Sequence, residues 1–340
     1  MASFKLEEKK SKVFVYTLDY CFFKDEENNT LSCYNKKFEL LWCVYDDHGI
    51  EYKRYKDFVF AIGHDKFSIL NVADGKEISS HPYVPIGWNN EFIISKDRKN
   101  FPPVLRCDKL VSNQFIEVWV KEDYSLVYLY YSDNKNIYFI NKDRITTEVN
   151  YGEIISLDIS SGKESWRFNT SIFGENLSIS RILGVSKGIL ILGFGDKYII
   201  GLDVVTGKIV WHMLGFAQFD ELEEEKGILH SFTRSHCSFD IRTGIAVSQL
   251  KGEEMLKEEE MFNRHNFTSQ RNKYIVTDTH IISTDWRKGK IIAYNMATHE
   301  FDWIWEEAGL FFQYYPMRYF DPYLFVNDQN MNLYVFKKQL

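Results

Sequence analysis

The chain is short of positive charge: 41 lysines and arginines stand against 48 acids, a net charge of −7 over 340 residues. That balance supplies no electrostatic pull toward nucleic acid or an anionic membrane surface. Long apolar runs are also missing. The best, residues 188–195, has the length of a buried strand and falls far short of a membrane-spanning helix. Residues 1–19 carry Lys5, Glu7, Glu8, Lys9, Lys10 and Lys12 with no continuous apolar core, which does not match an export leader. Proline occurs six times, and together with 45% hydrophobic residues this speaks against disorder.

Cysteine is sparse and unpatterned. Cys21, Cys33, Cys43, Cys107 and Cys237 are odd in number and include no CxxC pair, so the reading is reduced thiols in a cytoplasm. The sequons at Asn169 and Asn266 then carry no meaning for glycosylation. Nine histidines are scattered, with His230 and His236 the one close pair, and no HExxH or Cys/His cluster occurs. His230 reads as a core or strand-surface residue. There is no Gly-x-Ser-x-Gly elbow and no phosphate loop, and Gly193-Phe194-Gly195 reads as a bulge. No catalytic, cofactor or metal residue is assigned.

What the sequence does contain is a repeat. Residues 152–166 read GEIISLDISSGKESW and residues 198–211 read YIIGLDVVTGKIVW. Aligning Asp158 with Asp203 brings Gly162 onto Gly207, Lys163 onto Lys208 and Trp166 onto Trp211. Each copy is a strand, a tight turn and a return strand. Alternating Ile155/Leu157 and Ile200/Leu202 show the sheet period, the acid accepts N–H groups of the turn, and glycine supplies a positive φ. Weaker copies run from Asn71 through Gly75 to Ser79, from Asp240 through Gly244 to Ser248, and from Asn295 through His299 to Trp303. Trp42 and Trp119 end similar strand pairs whose turns lack the glycine.

The tryptophan-slot positions 42, 79, 119, 166, 211, 248 and 303 are spaced by 37 to 55 residues, the size of a four-stranded propeller blade. These residues resemble the PQQ-like (pyrroloquinoline-quinone-like) β-propeller repeat, whose blades carry an acid–x–x–Thr/Ser–Gly–Lys–x–x–Trp run. The resemblance implies the fold and leaves the activity open, because such propellers serve as quinone enzymes, assembly scaffolds and interaction proteins. The quinone enzymes of that family are exported and bind calcium. Many hold the cofactor beside adjacent oxidised cysteines, and no such cysteine pair occurs in this sequence.

The expected architecture is all-β: a single propeller domain over residues 1–340. The length remaining outside Trp42 and Trp303 is that of two blades, which favours eight, with seven as the alternative. Three strands follow Trp303 without a fourth, so an N-terminal strand, from residues 3–9 or 12–19, is expected to complete the C-terminal blade. Residues 253–262 break the strand rhythm, with Met255, Leu256 and Phe262 close to one helical face. They predict a helical insertion at about 252–264. The acidic run at residues 220–225 reads as a solvated loop or helix turn, with a docking site for a basic partner as the sharper alternative.

Aromatic residues make up 16% of the chain. Their densest cluster includes Phe312, Tyr314, Tyr315 and Tyr319 with Arg318 among them. Tyr and Arg are enriched where interfaces concentrate their energy, so these five are candidate partner-binding residues. The alternative is ring packing between the last and first blades. The functional expectation is a cytoplasmic, non-catalytic propeller with a protein partner, no nucleic acid or membrane partner, and no cofactor. It takes the form of an interaction scaffold or of a bacterial immunity protein that neutralises a toxin. The alternative is an enzyme or small-ligand binder using the central channel, such as a relative of quinone-dependent dehydrogenases.

Overall fold

The computed structural model describes residues 4–10, 13–17, 20–46, 49, 51–55, 58–63, 67–81, 83–88, 91–96, 104–111, 114–122, 124, 127–141, 153–173, 179–194, 197–214, 221–232, 235–268, 274–285 and 287–339. Among them, 32 strands form eight four-stranded antiparallel sheets, and the fold is an eight-bladed β-propeller. Seven blades take four strands in sequence, over residues 13–45, 51–81, 84–121, 127–169, 179–214, 221–249 and 274–306. The eighth has the strand order Phe4–Lys10, Leu333–Lys338, Tyr323–Asp328, Phe312–Phe320. The earlier of the two proposed N-terminal segments therefore completes it, and Leu6 lies opposite Phe336. Among the described residues no helix is long and apolar enough to cross a membrane.

By compactness the chain divides into two units. One, residues 48–218 and 241–244, holds the second to fifth blades. Here the repeat explains itself atom by atom. Asp158 Oδ1 accepts Ser161 N–H at 2.9 Å and the hydroxyls of Ser160 and Ser161 at 2.6 and 2.8 Å. Asp203 Oδ1 accepts Thr206 N–H and Oγ1–H, both at 2.7 Å. The Ser160 hydroxyl bond leads the interactions that hold the Asp158 carboxyl below its ordinary range, and the Thr206 hydroxyl bond does the same for Asp203. The glycine N–H closes each turn onto the acid's own carbonyl at 2.8 Å, with φ of +66° at Gly162 and +69° at Gly207.

The tryptophans reach forward by one blade. Trp119 Nε1–H donates to Ile159 O at 2.8 Å, Trp166 to Val204 O at 2.7 Å and Trp211 to Ile241 O at 2.5 Å. Each indole also lies against the next turn's glycine: Trp119 on Gly162, Trp166 on Gly207 and Trp211 on Gly244. Across its own ladder each tryptophan faces a small residue, Cys107, Ser156 and Gly201 respectively. The indole needs that space, because a Cβ on Gly201 would lie 2.5 Å from Trp211. Cys107 is buried there, its thiol pushed up to about 12 by burial, and none of the five cysteines is in a disulfide.

The other unit, residues 1–47, 219–240 and 245–340, holds the first, sixth, seventh and eighth blades. Trp303 covers the eighth blade, with ring centroids 5.2 Å from Phe4 and 5.7 Å from Phe336. Phe38 stacks on Tyr323 at 4.3 Å and Phe23 meets Phe325 edge-on at 5.5 Å, so rings do pack between the last and first blades. The predicted helix is present as α1 (Glu253–Arg264), between the sixth and seventh blades. Its buried face differs from the expected one: Glu258, Met261 and Phe262 are buried, whereas Met255 and Leu256 are 44% and 57% exposed. The i, i+3, i+4 spacing of Glu258, Met261 and Phe262 sets that face. Only an acid among them kept it from standing out in the sequence.

Candidate functional site

The residues E-E-M-L-K-E-E-E-M-F-N-R favour a helix because they include no glycine, proline or β-branched side chain. Glu253 and Glu254 sit at the positive N-terminal end of the helix dipole and Arg264 at the negative end. Beyond α1, Asn266 turns left-handed (φ 46°), and Phe267 N–H returns to Phe262 O at 2.9 Å. Phe262 stacks on Phe301 (5.3 Å) and meets Phe232 edge-on (5.8 Å), clamping the helix onto the sixth and seventh blades.

That clamp carries Glu258 into the apolar layer, where it is 2% exposed. Its Oε1 accepts Tyr294 O–H and, at 3.5 Å, His236 N–H, while Oε2 has no hydrogen-bond partner among the described residues. Burial raises this carboxyl to about 7, against the partial pull of those two donors. Tyr294 is raised as well, by burial first and then by the carboxyl. On its other side Tyr294 Oη lies 2.8 Å from His299 Nδ1.

A phenol has one proton, which fixes the logic of this chain. With Glu258 ionised, Tyr294 donates to it and His299 Nδ1–H donates to Tyr294. With Glu258 protonated, the carboxylic acid donates to Tyr294 and Tyr294 donates to His299 Nδ1. Both states use the same heavy-atom positions. His299 reaches this place because it occupies the repeat's glycine position, at φ 60°, a conformation that costs a residue with a Cβ.

A second chain runs behind it. His230 Nε2 lies 3.3 Å from Glu223 Oε2, and His230 Nδ1 lies 3.1 Å from His236 Nε2. If His230 donates to the carboxylate, its Nδ1 accepts from His236, and His236 Nδ1 becomes a bare acceptor. That atom is buried and, among the described residues, without a hydrogen-bond partner. Burial, with the charges of His230 and His299 adding to it, lowers His236 to about 4. His230 is lowered by burial, with Glu223 opposing.

A cleft of about 520 Å³ opens beside α1, and Glu258, His299 and Phe301 are among its walls. Its charged rim comprises Glu254, Lys257, Glu260, Arg264 and Glu300. Among the described residues no three His, Cys, Asp or Glu side chains are grouped to hold a metal ion.

The fold has many solved counterparts. BamB from Moraxella catarrhalis superposes with a TM-score of 0.62 at 12% identity, over 99% of this chain and 98% of that one. Quinohemoprotein alcohol dehydrogenase from Comamonas testosteroni gives 0.59 at 10% identity, over 98% and 76%. A europium-containing methanol dehydrogenase gives 0.60 at 9% identity, over 98% and 93%. The chain has the PQQ-like β-propeller fold. Saccharomyces cerevisiae Sqt1 is similar too, with a TM-score of 0.59 at 8% identity over 98% of each chain. No protein-family model and no curated relative matches the sequence. At these identities the likeness is one of fold.

Of the five partner-binding candidates in this propeller, Phe312 needs correction. Its ring is buried in the core cluster of the eighth blade, 6.5 Å from Trp305, and is not offered to a partner. Arg318 is exposed and donates to Met317 O at 2.7 Å. Tyr319 is half-buried and donates to Asp321 Oδ1 at 2.5 Å. The side chains of Tyr314 and Tyr315 lie outside the described residues, as do Gly152, Gly195 and Asp220. The rest of the acidic run forms the strand Glu221–Glu223 and a turn, where Glu223 pairs with Lys226 at 2.6 Å. His230 is buried, as one of its two expected readings had it.

Proposed function

We propose that this propeller works by binding another protein, without catalysis, and that α1 with its cleft is part of the recognition surface. The observation that carries the proposal is the insertion itself. A twelve-residue helix is anchored to the blades by Phe262 and Met261, while Met255 and Leu256 remain turned to solvent. A rigid scaffold presenting an adaptable Met/Leu surface next to a recess suits side-chain recognition. A cytoplasmic scaffold subunit and an immunity protein that neutralises a toxin are two forms of this reading. Arg318 with Tyr314, Tyr315 and Tyr319 is a second proposed contact region.

The test is affinity capture from the source cell lysate with mass spectrometry of the eluate, using wild type, Met255→Glu/Leu256→Glu, and Tyr314→Ala/Tyr315→Ala/Arg318→Ala. Met255, Leu256 and Arg318 are exposed, and each variant enters the comparison only if it keeps the wild-type melting temperature. A stoichiometric protein lost with the first variant supports recognition through α1, and loss with the second moves recognition to the last blade. Absence of any stoichiometric protein, with thermal stabilisation by a quinone or calcium, defeats the reading in favour of the channel.

A further inference from the structure

The cleft beside α1 has in its wall a buried carboxyl group with one oxygen that lacks a donor. Glu258 lines it, is 2% exposed, and has an oxygen with no hydrogen-bond partner among the described residues. Behind the cleft wall, His236 donates its backbone N–H to the same carboxyl, and its buried Nδ1, an acceptor when His230 donates to Glu223, has no hydrogen-bond partner among the described residues. Leaving such atoms unpaired is costly, so sites that carry them are built for something that supplies donors. Around Glu258 the rim has Glu254, Glu260 and Glu300 against Lys257 and Arg264, an excess of carboxylate. The aromatic ring of Phe301 is also in the lining, and an aromatic ring attracts a cation placed over its face.

We propose that this cleft receives a basic side chain, an arginine guanidinium or lysine ammonium, projecting from the partner protein and closing onto Glu258. This rests on the protein-binding reading above and deepens it. A planar guanidinium offers several N–H donors to one ionised carboxyl, and an aromatic ring accepts its face. Glu258 meets Tyr294 of the seventh blade, with His299 beyond it, and His236 of the sixth, with His230 and Glu223 beyond that; Glu254, Lys257, Glu260 and Arg264 of α1, with His265 and Glu300, are the other titratable or charged groups lining the cleft. A cation must meet Glu258 in its ionised form. Because that carboxyl titrates near 7, binding releases about half a proton at pH 7, close to one at pH 5.5 and almost none at pH 8.5.

The probe is a seven-residue peptide with a central arginine flanked by glycine and serine, beside the same peptide with citrulline. N-acetylarginine amide is the third ligand. Calorimetry is run on the full chain in two buffers of different ionisation enthalpy at each pH. The expected result is binding of the arginine peptide with the stated proton release, at least tenfold weaker binding of the citrulline peptide, and loss of both affinity and proton release in Glu258→Gln. Equal binding of citrulline, absence of proton release by the wild type, or no binding at all overturns the proposal. Wild-type proton release is read without any variant, so a misfolded Glu258→Gln does not shield the idea. If the partner captured from lysate is retained by Glu258→Gln, the basic side chain is wrong while protein binding stands. If N-acetylarginine amide binds as tightly as the peptide, the ligand is a small cation and protein recognition at this cleft fails.

Discussion

Alanine at three glycines of one blade separates backbone strain from contact with tryptophan. Gly188 has φ +79° and open space where a Cβ would sit. Gly201 has an ordinary φ, but its Cβ would lie 2.5 Å from the Trp211 ring. Gly207 combines φ +69° with a Cβ position 2.6 Å from the Trp166 ring. Gly188→Ala therefore costs only the left-handed backbone, about 1 kcal/mol. Gly201→Ala costs only overpacking, about 1–3 kcal/mol, since the indole is wedged against the blade and cannot swing away cheaply. Gly207→Ala carries both, about 2–4 kcal/mol. Urea denaturation with an unchanged m-value reads each loss as a shift in midpoint. A double-mutant cycle completes the test: in a Trp166→Ala background the Gly207→Ala cost should fall to about 1 kcal/mol. Equal losses at 188 and 207, or a Gly207→Ala cost that ignores the removal of Trp166, would refute the reasoning.

The buried acid and imidazole give a pH signature. Glu258 is raised to about 7, so its contribution to stability is complete below about pH 4.5 and is lost as pH rises through 7. His236 is lowered to about 4, so its contribution is complete above about pH 6.5 and is lost as pH falls through 4. Each is on the order of 3 kcal/mol, and they oppose one another across the same window. Glu258→Gln is expected to expose a steep loss of stability between pH 6.5 and 4 in urea titrations; a profile as flat as that of the wild type counts against the assignment. Trp166→Phe should cost about 1–3 kcal/mol by leaving Val204 O without its donor. Amide hydrogen exchange at residues 204–207 should speed up along with it, and unchanged protection would show that the indole N–H does not hold the turn.

The blades were legible in the sequence because their chemistry is local. Asp158, Ser161 and Gly162 act within one turn, so the pattern repeats wherever the turn does, and counting tryptophan positions led to eight blades and a borrowed strand. The partner of each tryptophan was less legible. Gly162 and Gly207 serve a turn and also a neighbour's indole, and the small residues facing each indole, such as Ser156 and Gly201, have no signature of their own. The cleft and the hydrogen-bonded chains behind it were hidden because Glu258 and His299 in its wall, and Glu223, His230, His236 and Tyr294 behind them, come from two blades and an insertion. Two signals did exist: a histidine in place of the repeat's glycine at 299, and an acid at 258 in phase with Met261 and Phe262. Neither has meaning until the helix is laid against the blades.

The shared eighth sheet sets an order of events during synthesis. Its strand Phe4–Lys10 is translated well before Leu333–Lys338, the strand it pairs with. At ordinary translation rates the roughly 320 residues between them occupy the ribosome for about 15–60 s, while the earlier strand waits with an open edge. Its sequence, F-K-L-E-E-K-K, is mostly charged, the composition that discourages a waiting edge from pairing with other chains. A chain interrupted before residue 333 leaves that strand unpaired and Trp303 without Phe336 beneath it. Synthesis of residues 333–338 is thus the step that completes this sheet, and until then its earliest strand relies on its own charges to stay unpaired.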